Sequence, residues 1–195
     1  MNTLKVATFL LLAALLTACA GVRKNVSFAA ESPEALLVFG TIAEEPTAYT
    51  VTFSTYDPPQ QRLTSNSFRG QPFVEHRGVG VLYHALKVPP GTYVLKSVTR
   101  QVIPQKVICL SEGTFAFELK PGQVTYVGNL AFRSEQVARA GTEQAAAIAA
   151  LKEYPNVSGE LITAPLTEVT FPNGTDIFGA GEVCGGYYVK EQPRS

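Results

Sequence analysis

Two copies of one local pattern occupy the middle of the chain, each made of a β-rich run, a Pro-Gly turn and a second β-rich run. The first copy covers residues 79–99 and turns at Pro89-Pro90-Gly91, and the second covers residues 114–130 and turns at Pro121-Gly122. Proline presets its own φ and glycine tolerates positive φ, so both types of residue favour sharp reversals of the chain. Each copy therefore predicts a hairpin or a tight corner between two strands.

Alternation of apolar and polar residues predicts the other strands. Tyr49, Val51 and Phe53 share one face of residues 49–55 and polar side chains share the other, which is typical of a half-buried strand. Residues 79–88 are apolar on both faces, which favours a central strand. Further strands are predicted by the apolar, β-branched and aromatic runs at residues 36–42, 166–171 and 182–189.

One short helix is predicted after these strands. Thr142 is a suitable N-cap, the alanine-rich stretch that follows as far as Leu151 has high helix propensity, and Pro155 ends it. Ala147, Ile148 and Leu151 form a narrow apolar face. Such a face suits a helix that lies on a sheet edge.

Residues 86–93 read Leu-Lys-Val-Pro-Pro-Gly-Thr-Tyr. This segment resembles the signature "strand, Pro-Gly, Thr-Tyr, strand" of transthyretin-like and carboxypeptidase-regulatory-like sandwiches. Together with many short strands and Pro/Gly turns, it implies a mainly β fold. We expect an antiparallel β-sandwich, Ig-like or transthyretin-like, with one short α-helix.

The N-terminus carries a targeting signal. After Lys5, residues 6–16 are apolar, and this run is shorter than the about 20 residues that a membrane-spanning helix needs. It ends at Leu16-Thr17-Ala18-Cys19, which resembles the lipobox of bacterial lipoproteins. The resemblance implies cleavage after Ala18 and acylation of Cys19. The alternative is an ordinary secretion signal in which the cysteine occurs by chance.

These features divide the chain into three parts. Residues 1–18 are the predicted signal peptide, residues 19–33 the lipidated Cys19 and a flexible tether, and residues 34–195 the sandwich domain. The lipobox implies the bacterial cell envelope. Ala20 stands where an inner-membrane retention signal would place aspartate, which favours the outer membrane, facing the periplasm. With residues 117–130, the whole is similar to bacterial lipoproteins of uncharacterised function.

Charge gives little information about partners. Removing the first 18 of 195 residues leaves 177, enough for one domain with a full core, and leaves 15 basic against 16 acidic side chains. No basic surplus exists to bind nucleic acid, and no Lys/Arg cluster marks an anionic-lipid patch. The expected partners are the membrane, through the lipid anchor, and an envelope protein or the cell wall.

Cys109 and Cys184 are the two cysteines left when Cys19 is acylated. In an oxidising compartment such a pair is most simply a disulfide. On the chain-entropy model, closing this loop of 75 residues contributes roughly 4 kcal/mol. A redox pair is the alternative, but the sequence has no Cys-x-x-Cys, and the apolar neighbours of Cys109 favour a structural bridge.

His84 and His76 are the only histidines, and both are weak candidates for a ligand-binding or catalytic role. His84 shares a strand face with Leu82 and Leu86, which favours a half-buried, hydrogen-bonded histidine over a catalytic base. The sequence has no Gly-x-Ser-x-Gly, Ser-x-x-Lys or His-Glu-x-x-His motif. We therefore expect a non-enzymatic binding or structural module with no cofactor beyond the covalent lipid. A hydrolase or carbohydrate-binding module with a site assembled from scattered residues is the alternative.

Overall fold

The computed structural model describes residues 25–43, 48–75, 80–101, 106–110, 113–132, 136–170 and 187–189. Within these residues the chain forms two β-sheets and one helix, which confirms the mainly β class. The helix, α1, is Gln144–Leu151. The strands in chain order are β1 Ala35–Ala43, β2 Ala48–Asp57, β3 Arg62–Glu75, β4 Leu82–Val88, β5 Gly91–Arg100, β6 Lys106–Cys109, β7 Thr114–Leu119, β8 Val124–Phe132, β9 Gln136–Arg139, β10 Leu161–Thr163, β11 Thr167–Val169 and β12 Tyr187–Val189.

The two sheets differ in strand direction. Sheet 1 has the order β12-β9-β8-β1-β4 with β10 also on β8, and sheet 2 has the order β11-β7-β5-β2-β3 with β6 also on β5. All pairs of sheet 2 are antiparallel. In sheet 1, β8 pairs in parallel with β1 and β10, and β12 pairs in parallel with β9. The expected antiparallel arrangement is therefore wrong for sheet 1, because alternation along one strand does not encode the direction of its neighbour.

Both Pro-Gly turns are corners between the sheets. The chain leaves β4 of sheet 1 through Pro89-Pro90-Gly91 and enters β5 of sheet 2, and it returns from β7 to β8 through Pro121-Gly122. The Tyr93 hydroxyl donates a hydrogen bond to the Pro89 carbonyl at 2.8 Å and so fixes the first corner. Of the two geometries that the sequence left open, the structure has the corner in both cases.

The main core lies between the sheets and is rich in aromatic rings. Tyr49, Val51 and Phe53 are buried in it, which confirms their predicted common face. The Phe53 ring centroid lies 5.3 Å from that of Phe39 in sheet 1 and 5.8 Å from that of Phe117 in sheet 2, both edge to face. Such pairs stabilise beyond the burial of their area. Phe53 therefore joins the two sheets at the centre of the core.

β4 is an edge strand of sheet 1 in the described chain, not the central strand that its sequence predicted. It is apolar on both faces for another reason. Val88 packs in the core between the sheets, whereas Ala85 packs in a second cluster on the outer face of sheet 1, together with Ala147 of α1. Sheet 1 is thus covered on both faces, and even its edge strand loses the polar face that an exposed sheet would show.

The helix agrees with its predicted limits but not with its predicted contacts. The N-cap is Glu143, with no side-chain hydrogen bond, so Thr142 does not cap it. α1 lies across the outer face of sheet 1, in contact with β1, β4, β8 and β10, rather than on an edge. Ala147 is buried there, but Ile148 is 46% exposed. The predicted apolar face is therefore wrong at Ile148.

The N-terminal segment is packed on the domain where a flexible tether was predicted. Phe28 is only 3% exposed and belongs to the cluster beneath α1. Its N–H donates to the Asn156 carbonyl, and its own carbonyl accepts from the Ser158 N–H, both at 2.9 Å. Gly122 approaches Ala30 so closely that a Cβ would overlap the Ala30 carbonyl. The packed part of the chain therefore includes Phe28, which lies within the predicted tether.

Candidate functional site

The structure describes part of the predicted site residues. Cys19, His76 and Cys184 lie outside the described residues. Cys109 is the last residue of β6, and its backbone pairs with that of Ser97 in β5. The Cys109–Cys184 bridge and the acylation of Cys19 therefore stay predictions.

His84 is half-buried in β4, directly opposite Phe39 of β1. Its Nε2 lies 2.9 Å from the Oγ1 of the buried Thr41, and its ring centroid lies 4.9 Å from that of Phe39. The tautomer decides which of the two groups donates the hydrogen bond. Both contacts are with β1, so this side chain fastens an edge strand to its neighbour.

Replacing His84 by alanine is expected to lower the free energy of unfolding by about 0.5–1.5 kcal/mol, the net value of one hydrogen bond, because the Thr41 hydroxyl loses His84 but keeps the Leu82 carbonyl as an acceptor. His84→Gln keeps a hydrogen-bonding amide in place and is the matched control, with a smaller expected loss. Urea unfolding of both variants measures the difference. Equal stability of His84→Ala and the unmodified protein would show that the contact contributes nothing.

A polar cluster on the outer face of sheet 1 was missed by the sequence analysis. The Tyr126 hydroxyl donates to Asn129 Oδ1 at 2.7 Å, and both residues are buried. Residues three apart on a regular strand point to opposite faces. Here the register shifts from Val38–Tyr126 to Gly40–Asn129, so β8 has one extra residue and a β-bulge. The bulge places the two side chains together.

Glycine at position 40 makes room for this cluster. A Cβ there would overlap Asn129 Oδ1 and lie 2.6 Å from Val81 Cγ1. The Asn129 backbone is also fixed: its N–H donates to the Gly141 carbonyl, and its carbonyl accepts from the Ala140 N–H, both at 2.9 Å. The pair Gly128-Asn129, inside the apolar strand β8, was the sequence signal that could have revealed the bulge.

The described contacts of this cluster are hydrogen bonds. Burial raises the pKa of Tyr126, and the neighbouring Tyr83 hydroxyl and the Glu143 carboxylate raise it further. A phenol of raised pKa keeps its proton at neutral pH and acts as a donor, so it does not supply a general base or a nucleophile. We assign the Tyr126–Asn129 pair to the stability of the bulge.

The described residues contain no group of three or more His, Cys, Asp or Glu side chains close enough together to hold a metal ion. Among them, no helix has the length and apolar character needed to span a bilayer. Comparison with protein families, curated proteins and solved structures finds no match.

Proposed function

We propose that this protein is a lipid-anchored lipoprotein of the bacterial cell envelope that works as a non-enzymatic binding or structural module. The observation that carries the proposal is the sequence Leu16-Thr17-Ala18-Cys19 at the end of a short apolar run. Acylation of Cys19 would supply two or more fatty chains, enough for stable membrane attachment. The proposed location is the outer membrane, on its periplasmic side.

The position of the packed N-terminal segment supports an anchor at Cys19. Phe28 docks on the domain nine residues after Cys19, and Val26 packs against the same cluster. A sandwich held this close to a membrane meets partners of that layer at high effective concentration. Attachment to the membrane would therefore promote the binding of partners located in the same layer.

Replacing Cys19 by alanine is expected to move most of the protein from the membrane to the soluble fraction and to abolish fatty-acid labelling. The reason is that the thiol is the acyl acceptor. Ala20→Ser is the matched control, since it changes the neighbouring residue but keeps the Cys19 thiol, and it should leave labelling and membrane partition unchanged. Fractionation with a radiolabelled fatty acid measures both. A Cys19→Ala protein that still partitions with membranes, beside an unlabelled unmodified protein, would disprove the anchor.

The non-enzymatic character is supported by the contacts of the described residues that could bear chemistry. His84 contacts Thr41 and Phe39 within sheet 1. The Tyr126 hydroxyl donates its hydrogen bond to Asn129. In a strain whose envelope is defective without this protein, His84→Gln and His76→Ala should restore the envelope fully. Loss of rescue in a folded, lipidated variant would favour the hydrolase or carbohydrate-binding alternative.

A transthyretin-like or Ig-like β-sandwich is proposed as the finer description of the fold. The two corners between sheets, one of them held by the Tyr93 hydroxyl, support it. The parallel pairing of β1 with β8 departs from the antiparallel sheets that this resemblance implies.

A further inference from the structure

α1 has an unusual composition for a helix on the surface of a domain. None of its residues, Gln144–Leu151, is charged, and seven of the eight are alanine, isoleucine or leucine. A helix that is apolar all round is normally buried on all sides. Here one side, with Ala147, packs on sheet 1, whereas Ala145, Ile148 and Ala149 are exposed.

These three residues form one continuous surface, which we call the apolar face of α1. They stand at positions i, i+3 and i+4, so their side chains are neighbours on the helix. Ile148, at its centre, is 46% exposed, one of three large hydrophobic side chains with high exposure in the described chain. Nothing in the described residues covers this face, so its occupant comes from outside them.

The course of the N-terminal segment identifies the occupant. Val26 and Phe28 pack in the cluster that also contains Ala147 and Leu151 of α1. Because Phe28 pairs with Val157, just beyond the C-terminal end of α1, the chain reaches the domain on the helix side of sheet 1. The described chain therefore enters the domain on the same side as the apolar face of α1.

The length of the intervening chain limits how far the lipid on Cys19 can be. Cys19 and Val26 are seven residues apart, which a fully extended chain spans in at most about 25 Å. From Val26 the helix side is reached directly, whereas the far face of sheet 2 lies beyond two stacked sheets about 10 Å apart. The helix side is therefore the side that this connection brings to the bilayer with the least extension.

We propose that the apolar face of α1 lies on the lipid surface to which Cys19 is attached, and that residues 26–32 are a strap that fixes this orientation. The proposal rests on the proposed lipid anchor and adds a second, non-covalent contact with the membrane. An apolar helix face can enter the boundary between headgroups and acyl chains, and each contact strengthens the other. The opposite side of the domain, formed by sheet 2, then faces away from the membrane and is free for a partner.

The absence of tryptophan from the chain makes this orientation measurable. The full lipidated Ile148→Trp variant, purified from membranes, is placed in phosphatidylcholine vesicles with plain or brominated acyl chains. We expect brominated lipid to quench its fluorescence roughly twofold, because an interfacial helix buries its apolar face about 5–10 Å deep. Leu82→Trp is the matched control. Leu82 is 41% exposed on β4 and alternates with Tyr83 and Ala85, which pack in the cluster beneath α1, so it lies on the other face of sheet 1 and should show no quenching.

Each outcome decides a different claim. If Ile148→Trp is bound to vesicles but not quenched, or if Leu82→Trp is quenched equally, the orientation is wrong while the anchor stands. If the unmodified protein carries no acyl groups and leaves the vesicles, the anchor is wrong and the orientation falls with it. Inserting about ten Gly/Ser residues between Cys19 and Val26 should weaken the quenching by lengthening the connection. Unchanged quenching after this insertion would overturn the role of the strap.

Discussion

Replacing Phe53 by alanine is expected to lower the free energy of unfolding by about 3–5 kcal/mol, the range for a fully buried phenylalanine. The ring is completely buried between the sheets and makes edge-to-face contacts with Phe39 and Phe117. Its removal leaves a cavity at the point where the sheets meet, and the surrounding rings can collapse into it only partly. A loss of this size is a large fraction of the total stability of an ordinary domain.

Equilibrium unfolding in urea measures this effect, and Leu82→Ala is the control. Leu82 is 41% exposed, so its truncation should cost less than about 1 kcal/mol. A double-mutant cycle on Phe39 and Phe53 should give a coupling of about 0.5–1.5 kcal/mol for the aromatic pair. A cost below that of Leu82→Ala would mean that Phe53 is not at the centre of the core.

Gly40→Ala is expected to destabilise the protein by about 2–5 kcal/mol, although it adds a single methyl group. The new Cβ would overlap Asn129 Oδ1 and crowd Val81. Overpacking of a tight core costs about 1–3 kcal/mol. Displacing Asn129 also takes the acceptor from the buried Tyr126 hydroxyl, and an unsatisfied polar group adds about 1–3 kcal/mol.

Thermal or urea unfolding measures the loss, with Gly113→Ala as the matched control. A Cβ at Gly113 would meet its nearest neighbour, the Val169 carbonyl, at an ordinary 3.5 Å. In an Asn129→Ala background the clash with the amide is gone, so Gly40→Ala should cost much less than in the unmodified protein. Strict additivity of the two substitutions would show that Gly40 and Asn129 do not interact.

Local sequence patterns predicted most elements of the fold but missed β3, β6, β9 and β10. Alternation located the buried face of β2, the two Pro-Gly turns marked the boundaries of β4, β5, β7 and β8, and the alanine-rich stretch located α1. β11 lies within the run at residues 166–171, and β12 lies at the described end of the run at residues 182–189. These successes have a common cause, because side-chain periodicity and turn chemistry depend on residues close together in sequence.

The arrangement of the elements could not be predicted in the same way. The parallel pairing of β1 with β8, the edge position of β4 and the exposure of Ile148 all depend on which distant segment covers which face. Phe28 shows this most clearly, since an isolated phenylalanine among small and polar residues gives no periodicity. Its partner, Val157, is more than 120 residues away.

The candidate site was predictable in part. The environment of His84 follows from its place in an apolar strand, although its contact with Thr41 required the pairing of β4 with β1. The Tyr126–Asn129 pair depends on a bulge of one residue, and regular alternation places those side chains on opposite faces. Cys19 is recognised by a local motif, so its prediction needs no tertiary structure.

The position of β1 in the middle of sheet 1 also determines how the chain must fold. Leu36 pairs with Lys87 and with Val124, which follow it by 51 and 88 residues. β1, the first strand of the described residues, therefore acquires its second partner only after the 88 residues from Leu36 to Val124 have been synthesised. Contacts so distant in sequence slow folding, because the loop between them must close first.

Until then the apolar residues of β1 have an unpaired edge, the kind of segment through which unfinished chains aggregate. A chain of this topology is therefore exposed to aggregation until β8 has been synthesised and has paired with β1.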